Sequence, residues 1–221
     1  MTSPQPLPLN PAGPAQSEFL IHFCGRPTGR QNTPSVPAYI RSLTAEQRLD
    51  NVLWEQRIMG FAPFGYGVVQ PMVCFSESPL SHLDWLLHSQ HWPPWGVILR
   101  RQSLYAKGGG PVWYARPEEY ASLTPAQRAW AVRYEATAGQ RSDWVHEREW
   151  RIPVPPADPV LGLARGDVFA VLVGNLTWQP TTRVWPAATG TQPVPAVHPL
   201  QGSFQRWFWE PTEKRFLAWP S

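Results

Sequence analysis

Two carboxylates stand two residues apart in "DWVHEREWRIPV", residues 143–154. Successive side chains on a strand alternate faces, so Glu147 and Glu149 share a face if one strand includes both. Trp150 and Ile152 then form the apolar face. Two like charges on one face repel unless water or cations accompany them. On spacing alone the pair suits a solvated strand edge beside Arg148 and Arg151. It also suits a cleft where a carboxylate holds a ribose hydroxyl and stabilises a cationic sugar.

Three other stretches carry chemistry-bearing groups. In "CFSESPL", Ser76 and Ser78 leave an apolar strand just before a helix. Their hydroxyls suit helix capping, or one of them orients a carboxylate from below. In "HFCGR", His22 closes an apolar strand and Arg26 follows a glycine. A single His on an apolar strand is commonly a structural group. "AKGGGPVWY" lacks the order of a phosphate loop, and its glycines precede a strand, so Gly108–Gly110 read as a hairpin turn. "RWFWE" mixes Arg with rings that stack bases, but the alternation is explained more simply as core.

The elements that position these groups follow from pattern. "EFLIHF" (18–23), "PMVCFS" (71–76), "WGVILRR" (95–101), "GPVWYA" (110–115), "REWRIPV" (148–154) and "DVFAVLVG" (167–174) read as strands, as do "FQRWFWE" (204–210) and "RFLAW" (215–219). "SLTAEQRLDNVLWEQRIMG" reads as a helix with a Thr44–Gln47 capping box, an apolar stripe at Leu49, Val52 and Leu53, and Gly60 as its end. "SPLSHLDWLLHSQ" reads as a short helix with Ser81 as N-cap and Leu83, Leu86 and Leu87 on one side. In "TPAQRAWAVRYEATAG" (124–139), Thr, Pro and Gln at the start and Gly at the end predict a third helix. Helices come early and strands late, without regular βα alternation. The expected class is α+β with a mixed or antiparallel sheet, not a doubly wound fold.

The 221 residues suffice for one domain with a substantial core. Residues 1–17 hold five prolines and read as a disordered arm, with one domain over 18–221 and a Pro-rich extension from about 176. Charged residues make up only 16%, against 27 prolines and 13 tryptophans, so stiff loops and aromatic anchors are expected. The net charge of +3 permits a nucleotide or nucleic acid partner without requiring one. Lys107 and Lys214 are the only lysines, so phosphate contacts would fall to arginine. Cys24 and Cys74 sit in apolar runs without zinc spacing and read as buried free thiols, so no metal is expected. No run nears the ~20 apolar residues of a membrane span, and the start lacks the pattern of a signal peptide, so a cytoplasmic protein is expected.

The order of these groups resembles the ADP-ribosyltransferase fold: a first-strand His or Arg (His22 or Arg26), a strand ending in S-x-S (Ser76-Glu77-Ser78), then E-x-E (Glu147-Arg148-Glu149). The run "RLDNVLWEQRI", "PMVCFSESPL", "WGVIL", "PVWY", "EREWRI" is also similar to a bacterial family linked to abortive phage infection. The resemblance spans roughly residues 18–175. It implies a split β-sheet core with flanking helices and an NAD-dependent ADP-ribosyltransferase, of a phage-defence or toxin type, acting on nucleic acid or protein, with an antitoxin as a candidate partner. It implies that Glu149 holds the nicotinamide-ribose 2′-hydroxyl and stabilises the oxocarbenium ion, that Glu147 orients or deprotonates the acceptor, and that Ser76 supports Glu149. His22, or alternatively Arg26, would contact the adenosine ribose or a phosphate, with Ser78 beside them in the cofactor site. Tyr105, Tyr114 and Phe75 are the aromatics available to stack on nicotinamide. Glu77 departs from the small residue usual at the centre of S-x-S. The alternatives are a non-catalytic nucleotide- or nucleic-acid-binding module using Arg26, Arg30, Arg100 and Arg101, and a purely structural protein in which His22, Ser76 and Glu149 do not converge.

Overall fold

The structure, a computed structural model, describes residues 16–27, 36–62, 70–137, 144–185, 194–196, 204–210, 212 and 215–219. In chain order the first half comprises β1 (Phe19–Phe23), α1 (Ala38–Arg41), α2 (Ala45–Glu55), β2 (Arg57–Met59), β3 (Met72–Ser76), α3 (Leu80–His88), β4 (Gly96–Arg100) and α4 (Arg101–Ala106). Next come β5 (Gly110–Pro111), β6 (Trp113–Ala115), α5 (Pro117–Ser122), α6 (Pro125–Arg128), β7 (Ala131–Arg133) and a 3₁₀ turn at Val145–Glu147. The chain continues through β8 (Glu149–Pro153), β9 (Val160–Gly162), β10 (Val168–Val173), β11 (Arg183–Trp185), β12 (Val194–Ala196), β13 (Gln205–Glu210) and β14 (Arg215–Trp219).

The class is α+β. Eight strands form one sheet in the order β14-β13-β10-β4-β1-β3-β8-β5, antiparallel except for the β10–β13 pair. The C-terminal stretch thus contributes β13 and β14 to the main sheet. At the other end, Ser17, expected in the disordered arm, donates its N–H to Glu77 Oε1 at 3.3 Å. Residues 1–15 lie outside the described residues. Among the described residues no helix is long and apolar enough to cross a membrane.

Strand alternation builds a core on each face of the sheet. Leu20, Val73, Phe75, Val97, Leu99, Trp150 and Ile152 pack on one face with Leu49 and Leu53 of α2. Ile21, Ile98, Ala170 and Leu172 pack on the other with Leu83 and Leu87 of α3. Burial on both faces explains why β4 and β10 read as unbroken apolar runs.

Several local expectations are corrected. The helix from Ala45 stops at Glu55, well before Gly60, because Gln56 takes the left-handed conformation (φ 53°) and β2 then pairs with β9. Pro79, not Ser81, is the N-cap of α3. The Thr124–Gln127 capping box forms, but the helix lasts only Pro125–Arg128. A cap marks a start and not a length, and "AWAVR" lacks a helical apolar stripe. The segment instead adds β7 to β6 in parallel register, Tyr114 opposite Val132. Gly108, at φ +90°, turns the chain out of α4 and is not in a hairpin.

His22 is a second sheet-level correction. Ile21 pairs with Ser76, and Ser76 pairs with Glu149. These three lie in one row and face the same side, so His22 faces the other. Its ring sits 5.7 Å from Phe75 and bonds the Cys74 carbonyl through Nδ1 at 2.9 Å. A carbonyl only accepts, so the neutral ring carries its proton on Nδ1. Burial lowers the His22 pKa, with Arg26 adding to the effect and the Cys74 bond opposing it. Above its unfolded value of about 6.5 the ring is neutral in both states. As pH falls through that value, the unfolded chain takes up a proton that the folded chain resists, so stability declines. We expect the melting temperature to drop between about pH 7.5 and pH 5.5, and His22→Gln to remove part of the drop. An unchanged pH slope in that variant would refute the assignment.

Burial also raises both thiols, Cys24 to about 12 and Cys74 well above its ordinary value. Only thiolate is nucleophilic. Neither cysteine should react with iodoacetamide at about pH 8 in the folded chain, and both should react in denaturant. Mass spectrometry of the alkylated protein reads the outcome directly.

Candidate functional site

β8 opens on Glu149, immediately after a 3₁₀ turn capped by Arg148 at φ 45°. Glu147 belongs to that turn and not to the strand, so the expected two-glutamate face does not form. The partner that shares the strand face with Glu149 is Arg151. Arg151 Nε donates to Glu149 Oε1 at 2.8 Å and Nη2 to Oε2 at 3.1 Å, a two-pronged bond. Its remaining nitrogen, Nη1, donates to the Ala129 and Ala131 carbonyls, both at 3.1 Å. The Arg151 side chain is 7% exposed and the Glu149 side chain 13%. Burial lowers the Arg151 pKa, but Glu149 together with Cys74 and Tyr120 outweighs it and the pKa lies above its usual range.

The serines hold the turn and not the carboxylate. Ser76 Oγ donates to the Glu147 carbonyl at 2.6 Å and lies 2.8 Å from Ser78 Oγ. Ser76 has one proton, so Ser78 donates to Ser76. Ser76 therefore supports Glu149 only indirectly, by fixing the 3₁₀ turn that leads into β8, a correction to the expected direct contact.

Glu77, the departure at the centre of S-x-S, is a buried junction. It accepts from Trp150 Nε1 at 2.9 Å and Arg101 Nη1 at 3.3 Å, and pairs with Arg148 at 3.6 Å. Two guanidiniums thus offset the extra charge, and α4 and β8 meet the residues just before β1 and just after β3 at one point.

Beside Glu149 opens a cleft of about 600 Å³. Glu77, Glu149 and Trp150 reach it from the sheet, His82 from α3, Tyr114 from β6, and His146 and Arg148 from the 3₁₀ turn. That volume is within the range of small-molecule and cofactor sites. Burial, with the charges of Glu149 and Glu147, raises the Tyr114 phenol to about 12, so it stays protonated and donates to the Trp144 carbonyl at 3.3 Å. Burial lowers the His82 pKa, with His146 and Arg148 adding to it, and the ring's Nε2 has no hydrogen-bond partner.

Of the residues singled out from sequence, Glu149 and Tyr114 line the cleft. Ser76, Ser78 and Glu147 meet in the hydrogen-bonded turn beside it. His22 faces away from Glu149 and does not line the cleft. Arg26 is exposed just past β1, close enough to act electrostatically on His22 and Cys74. The convergence of His22, Ser76 and Glu149 does not occur. Phe75 is core, and Tyr105 is 69% exposed on α4. Arg30 is outside the described residues, and Arg100 spends its guanidinium over the Phe169 ring at 4.3 Å. Arg151, expected only as a cation near the glutamates, is the direct partner of Glu149, and His82 and His146 join the site in the structure alone. The i, i+2 spacing of Glu149 and Arg151 in "EWR" carried the signal for Arg151, whereas the two histidines reach the cleft through tertiary folding alone. No family model, curated protein or solved structure matches this chain.

Proposed function

We propose that the chain is an NAD-dependent transferase of the ADP-ribosyltransferase type, with Glu149 as the carboxylate that stabilises the ribosyl cation. The observation that carries this reading is Glu149 itself: a residue lining a cleft of about 600 Å³, with a side chain only 13% exposed and a carboxylate fixed by Arg151. Transfer breaks the ribose–nicotinamide bond, whose electron pair leaves with nicotinamide. The sugar left behind is positive at C1′, and a preorganised anion stabilises that state more than the neutral ribose before it. Arg151 engages both oxygens of Glu149, yet each carboxylate oxygen has a further lone pair to accept a ribose hydroxyl. Tyr114 supplies a ring on the cleft wall, and Arg148 a cation for a diphosphate. His22 has no part in this reading.

The paired hydrogen bonds from Arg151 favour a second reading, a nucleotide-binding module without turnover, since much of the Glu149 charge is already offset. The experiment that separates them is a paired assay on the full chain: calorimetric titration with NAD, and chromatography of free nicotinamide over hours. Binding with release supports the enzyme, and binding without release supports the module. Absence of both overturns the two readings together.

A further inference from the structure

We propose that His82 is a catalytic residue of this site, the base that takes the proton from the group attacking C1′. The inference rests on the transferase reading and supplies the acceptor's half of the reaction. The resemblance gives that role to Glu147, but Glu147 lies in the 3₁₀ turn, off the strand face of Glu149 and outside the cleft lining. The base must therefore come from the cleft wall itself.

Most titratable groups on that wall are already engaged. Glu149 accepts two bonds from Arg151. Glu77 accepts from Trp150 and Arg101 and pairs with Arg148. Tyr114 keeps its proton and gives it to the Trp144 carbonyl. A guanidinium accepts no proton. His82 and His146 are left, and His82 has the mark of a base. Its Nε2 is buried and, among the described residues, has no hydrogen-bond partner. Buried polar nitrogens are ordinarily paired, so an unpaired one on a ring that lines a cleft is a place for a ligand's proton.

The surroundings keep that nitrogen a lone pair near pH 7. Burial lowers the His82 pKa below 6.5, the charges of His146 and Arg148 add to the effect, and a bond to the His146 backbone opposes it. Neither Glu77 nor Glu149 across the cleft reverses the lowering. His82 also stands in the first turn of α3, where the positive end of the helix disfavours a cation. Trp85 holds the ring in place, stacked at 5.4 Å and 26°. With its proton on Nδ1, the neutral ring accepts at Nε2. As the ribose–nicotinamide bond breaks, its electron pair leaves with nicotinamide. The acceptor's lone pair forms the new bond to C1′, its proton passes to Nε2, and the imidazolium later returns that proton to water.

Water is the simplest acceptor, and azide is one that carries no proton. The test measures nicotinamide release from NAD by the full chain and by His82→Ala and His82→Gln, with and without sodium azide at neutral pH. Release by the parent should rise as pH increases through a value below 6.5. Both variants should lose that limb and fall about 10²-fold, the contribution of a positioned base. Azide should restore release in His82→Ala and yield ADP-ribosyl azide by mass spectrometry, because it needs no base. NAD affinity by calorimetry should match the parent's, which a packing role would not predict. Parent-like release in both variants overturns the inference, as does a loss that azide leaves unrepaired. So does the same loss and rescue in His146→Ala with His82→Ala unaffected. A parent that releases no nicotinamide sinks the transferase reading, whereas a releasing parent with a parent-like His82→Ala sinks the base alone.

Discussion

Glu149→Gln is expected to lower nicotinamide release from NAD about 10²–10³-fold. Glutamine keeps the shape and one acceptor oxygen but removes the charge, and losing one preorganised electrostatic group costs about 2.7–4 kcal/mol of barrier. The structure adds a second consequence that spacing alone does not reveal. Glu149 is the counterion of a guanidinium that is 7% exposed, and removing one member of a buried pair costs about 3–5 kcal/mol of stability. The variant must therefore be assayed below its own melting point, with folding checked by circular dichroism. The double variant Glu149→Gln with Arg151→Met separates the effects. It removes the orphaned cation, so stability should partly return while release stays low. Release at the parent rate in folded Glu149→Gln would refute the role.

Arg151→Met carries the largest expected stability effect. The substitution strands Glu149 and also frees the Ala129 and Ala131 carbonyls, which Arg151 holds at 3.1 Å. Through those bonds Arg151 fastens β7 to β8, two elements that share no strand pairing. The loss of about 3–5 kcal/mol corresponds to a fall of about 6–20 °C in melting temperature. Arg151→Lys should recover little, because an ammonium cannot bind both oxygens of a carboxylate and two carbonyls in one plane. A thermal melt of Arg151→Met within a degree or two of the parent would show that the pair is not the strut described.

Much of the sheet was legible because its strands are apolar in themselves. "FLIHF", "MVCFS", "GVILR" and "VFAVLV" each match a strand to within a residue or two, since strands buried on both faces leave unbroken runs. What was not legible depended on pairing between distant segments. The side on which His22 falls is decided by the Ile21–Ser76 bridge, and a one-residue slip would reverse it. The helix expected over 124–139 gave way to β7 because β6, about 18 residues earlier, offered a partner edge. Glu147 would share the face of Glu149 only if the strand ran back through Arg148, and the left-handed backbone of Arg148 prevents that. The same alternation, applied forward instead of backward, pairs Glu149 with Arg151. Glu77 departs from the S-x-S motif because its partners are distant in sequence: Trp150, Arg101 and Arg148 come from three separate elements to meet it.

The central claim is that the hollow beside Glu149 takes the nicotinamide ribose of NAD. A crystal structure of the full chain with a non-cleavable carbocyclic NAD analogue tests it most directly. The account predicts the analogue's ribose hydroxyls within about 3 Å of the Glu149 carboxylate, the nicotinamide against Tyr114, and the diphosphate near Arg148. An analogue bound on the His22 face of the sheet, or a cleft that stays unfilled at saturating analogue, would contradict it.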